Sequence, residues 1–199
     1  MRSPVIGLTG PTGAGKSTWS AAFRALHCTV IDCDRLARRA VEQPQVRQAL
    51  EQAFGAEIYR DGVLNRRLLA TRAFADAQSV QKLNAATHPA IRAAILSELH
   101  AAERKSRAVI IDAPQLYEGG LETVCTTVAA VLAPEPLRLA RILQRDKISR
   151  EEAVRRMASQ FGEAFFRSHA DWILDGTLPP AEVPAHAERQ LRIWLGECL

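Results

Sequence analysis

The residues Gly10-Pro11-Thr12-Gly13-Ala14-Gly15-Lys16-Ser17 fit the pattern GxxxxGK[ST]. They follow Val5-Ile6-Gly7-Leu8-Thr9, a short β-branched and aliphatic run, and they precede Lys16 to Leu26, which contains neither Gly nor Pro. Strand, glycine-rich turn and helix in that order commit the chain to an α/β fold whose first turn takes phosphate. Glycines let successive backbone N–H groups converge on phosphate oxygens, and the helix N-terminus adds roughly half a positive charge at the same spot. Gly10, Gly13, Ala14, Gly15, Lys16, Ser17 and Thr18 are therefore the expected nucleotide-binding residues. Lys16 is expected to reach the β- and γ-phosphates of a nucleotide, and the Ser17 hydroxyl to ligate Mg²⁺.

Further strands read as short, continuously apolar runs, the mark of a parallel sheet covered on both faces. Cys28 to Ile31 ends in Asp32-Cys33-Asp34, Val109-Ile110-Ile111 and Val128 to Leu132 follow, and Trp172-Ile173-Leu174 is a fifth candidate. The expectation is a five-stranded parallel sheet flanked by helices. About 70 residues separate the second and third strands and look helical throughout, far more than a simple crossover requires. Within them Leu64 to Phe74 and Pro89 to Lys105 read as helices, the second with Ile91, Ile95 and Leu99 on one face, and Asp61-Gly62 marks a turn. A helical subdomain is expected at roughly 60–100, inserted into a core of 1–59 and 101–199. Pro134 to Arg145 and Ser149 to Phe161 form a helical pair, the second opened by a capping box in which Glu152 reaches back to Ser149. A last helix runs near Ala185 to Leu195, after Pro179-Pro180 and Pro184.

Composition removes several classes. The 199 residues carry a net charge of +4, too little along the whole chain to argue for nucleic acid. Only four cations are lysines (Lys16, Lys82, Lys105, Lys147), so the basic surface is arginine, suited to forked recognition of phosphate; a GC-rich genome explains the bias equally well. Cys28, Cys33, Cys125 and Cys198 show no CxxC pairing and the histidines no metal spacing, which fits a reducing cytoplasm. After Arg2 comes only a short apolar run, and no window approaches the roughly 18 apolar residues that span a membrane.

The absence of an Asn-Lys-x-Asp base-reading motif argues against a GTPase, and Ile111-Asp112-Ala113 offers one acid where larger ATPases want a pair. Small kinases remain, with a helical insert for the acceptor and an arginine-rich lid at about 138–160. Arg138, Arg141 and Arg145, at i, i+3 and i+7, share one helix face, with Leu139, Ile142 and Leu143 opposite. Polyphosphate is one counterweight for them; a solvated face paired with Glu135 or Asp146 is the other. Arg150, Arg155 and Arg156 extend the cationic surface. If the second strand stays extended, Asp32 and Asp34 point the same way, toward the phosphate loop, and can accept an alcohol proton or hold Mg²⁺ through water. Asp34 as a helix N-cap is the compatible alternative. His88, before Pro89, reads on its own as a turn or capping residue.

Taken together, these motifs resemble the dephospho-CoA kinases, which phosphorylate the ribose 3′-hydroxyl of dephospho-CoA with ATP. The matching text is Ile6 to Thr18, Val30 to Asp34 with Ala37-Arg38, Arg66 with Leu69 and Phe74, His88-Pro89-Ala90-Ile91, Pro114-Gln115-Leu116-Tyr117-Glu118, Arg141 to Arg145, and Gln160. The resemblance implies Asp34 as the general base, Asp32 as a shaper of its pocket, Arg66 and His88 as contacts to dephospho-CoA, and Arg141 as a stabiliser of the transferring phosphoryl group. Lys16 and Arg141 join Asp34 as the expected catalytic set, and ATP, dephospho-CoA and Mg²⁺ are the implied ligands, with no nucleic acid or membrane partner and a monomer or trimer as the assembly. Departures are Pro11-Thr12 for Gly-Ile, Cys33 for Ala, Gln115 for Leu, and Asp175-Gly176 near the expected adenine. Alternatives are another alcohol-phosphorylating kinase, or a nucleotide-binding regulatory switch.

Overall fold

The computed structural model describes residues 3–197, so Arg2 and Cys198 lie outside it. The chain divides into two compact units, 1–31 with 99–199, and Asp32–Glu98.

The first unit is built on a five-stranded sheet of β1 (Val5–Thr9), β2 (Thr29–Asp32), β5 (Val109–Asp112), β6 (Thr127–Leu132) and β7 (Trp172–Asp175) in the order β2-β5-β1-β6-β7. Its central strand, β1, runs parallel to β5, pairing Ile6 with Ile110, and to β6, pairing Gly7 with Val128. All five β1 residues are buried, as a strand covered on both faces must be. One face carries α1 (Lys16–Ala25) and α9 (Val183–Trp194) over a core of Ile6, Leu8, Phe23, Ile110, Val131 and Leu191. Phe23 is fully buried, with its ring centroid 6.0 Å from Trp19 and 5.3 Å from Trp194. Its truncation to Ala would cost about 3–5 kcal/mol.

On the other face Ala130, Leu132 and Phe166 pack with Tyr117 and Phe165. Phe166 belongs to α8 (Glu163–His169), a helix that the sequence reading, which ends its predecessor at Phe161, does not contain. The arginine-rich pair is α6 (Glu135–Asp146) and α7 (Arg150–Ala158), joined by Leu139, Ile142 and Ala153. Half of the expected capping box is present: Ser149 Oγ accepts the Glu152 N–H at 3.1 Å. The Ser149 hydroxyl instead meets the Glu151 carboxyl, which its own first-turn N–H and, after it, that hydroxyl hold below the ordinary carboxylate range.

The second unit is larger than the expected 60–100. It begins with α2 (Cys33–Ala40) and α3 (Pro44–Phe54), because Val46, Leu50 and Phe54 of α3 bury against Ile58, Tyr59 and Leu69 in one core. Nor is the segment helical throughout. Two-residue strands β3 (Tyr59–Arg60) and β4 (Val63–Leu64) pair antiparallel around Asp61 (φ 51°) and Gly62 (φ 79°), both left-handed, as a two-residue hairpin turn requires. Asn65 then caps α4 (Arg66–Ala73) by accepting the Leu68 N–H at 3.0 Å.

Pro89 does not open a helix. It lies inside α5 (Ala77–Ala102), 26 residues long. The alanines around it are strong helix formers, and Thr87 Oγ1 donates to the Leu83 carbonyl at 2.8 Å in the preceding turn. Ile95 and Leu99 are buried and Ile91 is half-buried, so the expected stripe is present on the longer helix.

Candidate active site

The phosphate loop leaves β1 at Thr9 and enters α1 through Gly15, whose φ of 101° turns the chain into the helix. No acidic residue stands in the first turn of α1, so the positive end of its dipole is left for an anion. Ser17 is exposed at that end, and Lys16 and Thr18 are half-buried. Within the loop, Ala14 N–H donates to the Pro11 carbonyl at 3.2 Å and Thr18 N–H to the Gly15 carbonyl at 3.1 Å.

Three distant residues hold this loop. Gln160 Oε1 accepts the Thr12 N–H at 2.8 Å. Arg141 Nη1 lies 2.8 Å from the Gly176 carbonyl, 3.2 Å from that of Gly13 and 3.4 Å from that of Ala14. Gly176 itself abuts the loop so closely that a Cβ there would come within 2.0 Å of the Ala14 carbonyl oxygen. Gly13 is constrained likewise, since a Cβ would stand 2.7 Å from the Arg138 carbonyl oxygen. Trp19 Nε1 donates to the Asp175 carbonyl at 3.2 Å, fixing the end of β7 against α1.

The three arginines along α6, Arg138, Arg141 and Arg145, are not equivalent. Arg141 grips loop carbonyls as just described. Arg145 pairs with Asp146 at 2.7 and 2.9 Å, and Arg156 reaches the same carboxylate at 2.6 Å, which joins the end of α6 to α7. Arg138 departs from the expected polar face: it is buried at 8% exposure beside Leu139 and Ile142, and its Nε meets no hydrogen-bond partner. Burial lowers its affinity for a proton, and Glu135 and Glu163 oppose that.

At the carboxyl end of β5, Asp112 Oδ2 accepts from Ser20 Oγ at 2.6 Å. This is the strand-end position where parallel sheets bind ligands. A magnesium–nucleotide complex takes most of its ligands from phosphate and water oxygens, and the hard hydroxyl oxygen of Ser17 suits that donor set.

On the separate 32–98 unit, the helix begins at Cys33, two residues earlier than an extended Asp32-Cys33-Asp34 requires. Asp32 is the N-cap, accepting the Arg35 N–H at 2.9 Å, and Asp34 is a first-turn residue, exposed. The two carboxylates are therefore not alternate residues of one strand, and the capping role falls to Asp32 rather than Asp34. His88 is exposed on α5, and Arg66 is exposed at the first position of α4.

A model of the dephospho-CoA kinase family matches residues 4–179. The chain belongs to the dephospho-CoA kinase family. Among curated relatives named dephospho-CoA kinase, that of Anaeromyxobacter dehalogenans is 38% identical over 190 residues, covering 94% of this chain and 90% of that protein. That of Deinococcus radiodurans is 40% identical over 188 residues, with 94% and 90% covered. The crystal structure of TT1252 from Thermus thermophilus superposes with a TM-score of 0.85 at 33% identity, covering 100% of both chains. A shikimate kinase from Acinetobacter baumannii, 18% identical with a TM-score of 0.52 over 98% of this chain and 94% of its own, shares the fold.

The resemblance read from the sequence, the P-loop α/β fold and the assignment as a kinase thus agree with the family. A dephospho-CoA kinase of this kind acts on small molecules, and among the described residues no helix is long and apolar enough to cross a membrane. Gln160 and Gly176 were named in the sequence only through the resemblance, outside the expected site. A single amide bonding a backbone N–H 148 residues away leaves no local pattern.

Proposed function

We propose that this chain transfers the γ-phosphoryl group of ATP to the ribose 3′-hydroxyl of dephospho-CoA, giving coenzyme A and ADP. The observation that carries this reading is the braced phosphate loop, with α1 presenting an uncompensated N-terminus, in a chain matched by the family model over residues 4–179.

In this reading the loop N–H groups and Lys16 hold the β- and γ-phosphates. Ser17 contributes its hydroxyl to Mg²⁺, which when bound neutralises charge on the phosphate oxygens. Asp34 accepts the proton of the 3′-hydroxyl as that oxygen bonds to the γ-phosphorus, and the bond from phosphorus to the β,γ-bridging oxygen breaks, leaving ADP. Asp32 fixes the turn that carries Asp34 by capping α2. Arg141 joins the loop carbonyls to the charge developing on the transferred group, and Arg66 and His88 contact the acceptor. Positioning and electrostatics of this kind are nearly all that phosphoryl transfer asks of a protein.

The test is ADP release with Mg·ATP and a panel of dephospho-CoA, adenosine, AMP, CMP, shikimate and no acceptor. Release only with dephospho-CoA, with a product one phosphate heavier, is expected. Release with a different acceptor overturns the substrate, and slow acceptor-independent hydrolysis overturns the transfer.

A further inference from the structure

The helix α7 helps to hold the phosphate loop while being weakly held itself. It buries one of its nine residues, Ala153, against Leu139 and Ile142 of α6. Apolar contact of that extent is non-directional and does not fix where the far end of a helix stands. Yet the chain just past that end has a fixed task. Gln160 follows Ala158 by two residues, its backbone N–H bonds the Met157 carbonyl at 3.4 Å, and its side chain accepts the Thr12 N–H at 2.8 Å. Gln160 therefore rides on the last turn of α7, and a shift of that turn by ~1 Å takes its bond to the loop beyond hydrogen-bonding range.

The same turn carries Arg156, four residues before Gln160, and Arg156 is fixed by Asp146. Asp146 is the last residue of α6, where the negative end of the helix dipole disfavours a carboxylate. The sequence breaks a local rule there, and two arginines compensate for it. Arg145 Nε and Nη2 fork onto the two carboxylate oxygens at 2.7 and 2.9 Å, and Arg156 Nη1 reaches Oδ2 at 2.6 Å. Arg145, by its hydrogen bond and charge, and after it Arg156 hold the Asp146 carboxyl below the ordinary carboxylate range, so the link is charged on both sides at neutral pH. An isolated surface ion pair fixes little, whereas a carboxylate shared by two guanidiniums, and itself only 20% exposed, is a network.

We propose that Asp146 is a positioning residue for the nucleotide: through Arg156 it holds the last turn of α7 where Gln160 meets the Thr12 N–H. The helix α6 is anchored to the loop by Arg141 on the Gly13 and Gly176 carbonyls, and Asp146 passes that anchorage on to α7. The path from carboxylate to loop runs through Arg156, Gln160 and Thr12, all within the first unit. Neither Asp146 nor Arg156 touches the nucleotide in this account. The proposal rests on the reading of the loop as an ATP site and is independent of the acceptor.

The measurement is the affinity of the full-length protein for Mg·ATP, by calorimetry well below the melting temperature. Asp146→Asn is expected to weaken binding by ~10-fold, the size of effect that coupled contacts carry, and Arg156→Gln by a similar factor. Arg156 is exposed, so Arg156→Gln keeps the test open if Asp146→Asn folds poorly. Asp146→Glu retains the charge and should retain most of the affinity. Asp146→Asn combined with Gln160→Leu should bind ATP no more weakly than Gln160→Leu alone, because both act on one bond. In turnover the KM for ATP should rise by a larger factor than kcat falls. A residue that only stabilises the fold lowers the melting temperature of Asp146→Asn and leaves the ATP affinity of the folded protein as it was. That result overturns the proposal, as does a double variant whose loss is the product of the two single losses. A parent protein that binds no Mg·ATP overturns the reading of the loop along with the proposal, whereas equal binding by the parent and Asp146→Asn overturns the proposal alone.

Discussion

The Gln160 side-chain carbonyl accepts the Thr12 N–H at 2.8 Å, so the second x of the phosphate motif is held by a residue just beyond α7. This bond takes one loop donor away from phosphate and fixes the direction of the others. Gln160→Leu keeps the volume and leaves a half-buried N–H without its partner, which costs about 1–3 kcal/mol. The expected result is a lowered melting temperature and weaker ATP binding, read by thermal unfolding and by nucleotide titration of the same variant.

Gly176→Ala places a methyl carbon 2.0 Å from the Ala14 carbonyl oxygen and 2.7 Å from that of Leu132. Both obstacles are backbone, so β7 or the loop has to move. A loss of more than ~2 kcal/mol in stability is expected, within the range of severe single substitutions. ATP should then protect the variant from thermal unfolding less than it protects the parent.

Tyr117 carries a buried hydroxyl with no hydrogen-bond partner. Burial, with the negative charges of Asp171 and Glu122 adding to it, pushes its ionisation up to about 12 from an ordinary 10.0. The native state therefore keeps a proton that the unfolded chain releases, and stability from this group is present below pH 10 and lost as the pH rises toward 12. Tyr117→Phe removes the unpaired hydroxyl and keeps the ring edge-on to Phe165 at 5.2 Å. Unfolding titrations should show the variant at least as stable at pH 7, by up to about 1 kcal/mol, and less sensitive to alkali.

Asp34→Asn leaves the loop, Lys16 and the Asp32 cap in place. ATP affinity should be unchanged while kcat falls by ~10²–10⁴, the usual contribution of a general base. Near-normal turnover with dephospho-CoA would remove Asp34 from that role.

The sheet was legible because its strands are continuous apolar runs, and the loop because glycine spacing and a following helix are local signals. Every one of the five strands lies within a residue of its expected place. Three features were not legible, each for a physical reason. The β3–β4 hairpin has two residues per strand, too short for any alternation to show, although Asp61-Gly62 is the turn pair such hairpins favour. Pro89 reads from the sequence as a helix start, but packing of Leu83, Ala86 and Ala90 on the core of the second unit carries the helix through it. At the aspartate pair, the competition between an extended strand end and a capped helix start was resolved by one hydrogen bond, from Arg35 N–H to Asp32. The α6 arginines shared a pattern and received three different environments, because helical spacing fixes which face a residue occupies and not what awaits it there.

The order of the chain gives the brace on the phosphate loop a temporal meaning. Synthesis runs from the N-terminus, so the motif ending at Ser17 is made well before Arg141, Gln160 and Gly176, the residues that hold it. A growing polypeptide that stops short of Arg141 holds every letter of the signature and none of the residues that brace it. A nucleotide that needs the braced loop can therefore stabilise the fold only after Gly176 has been made.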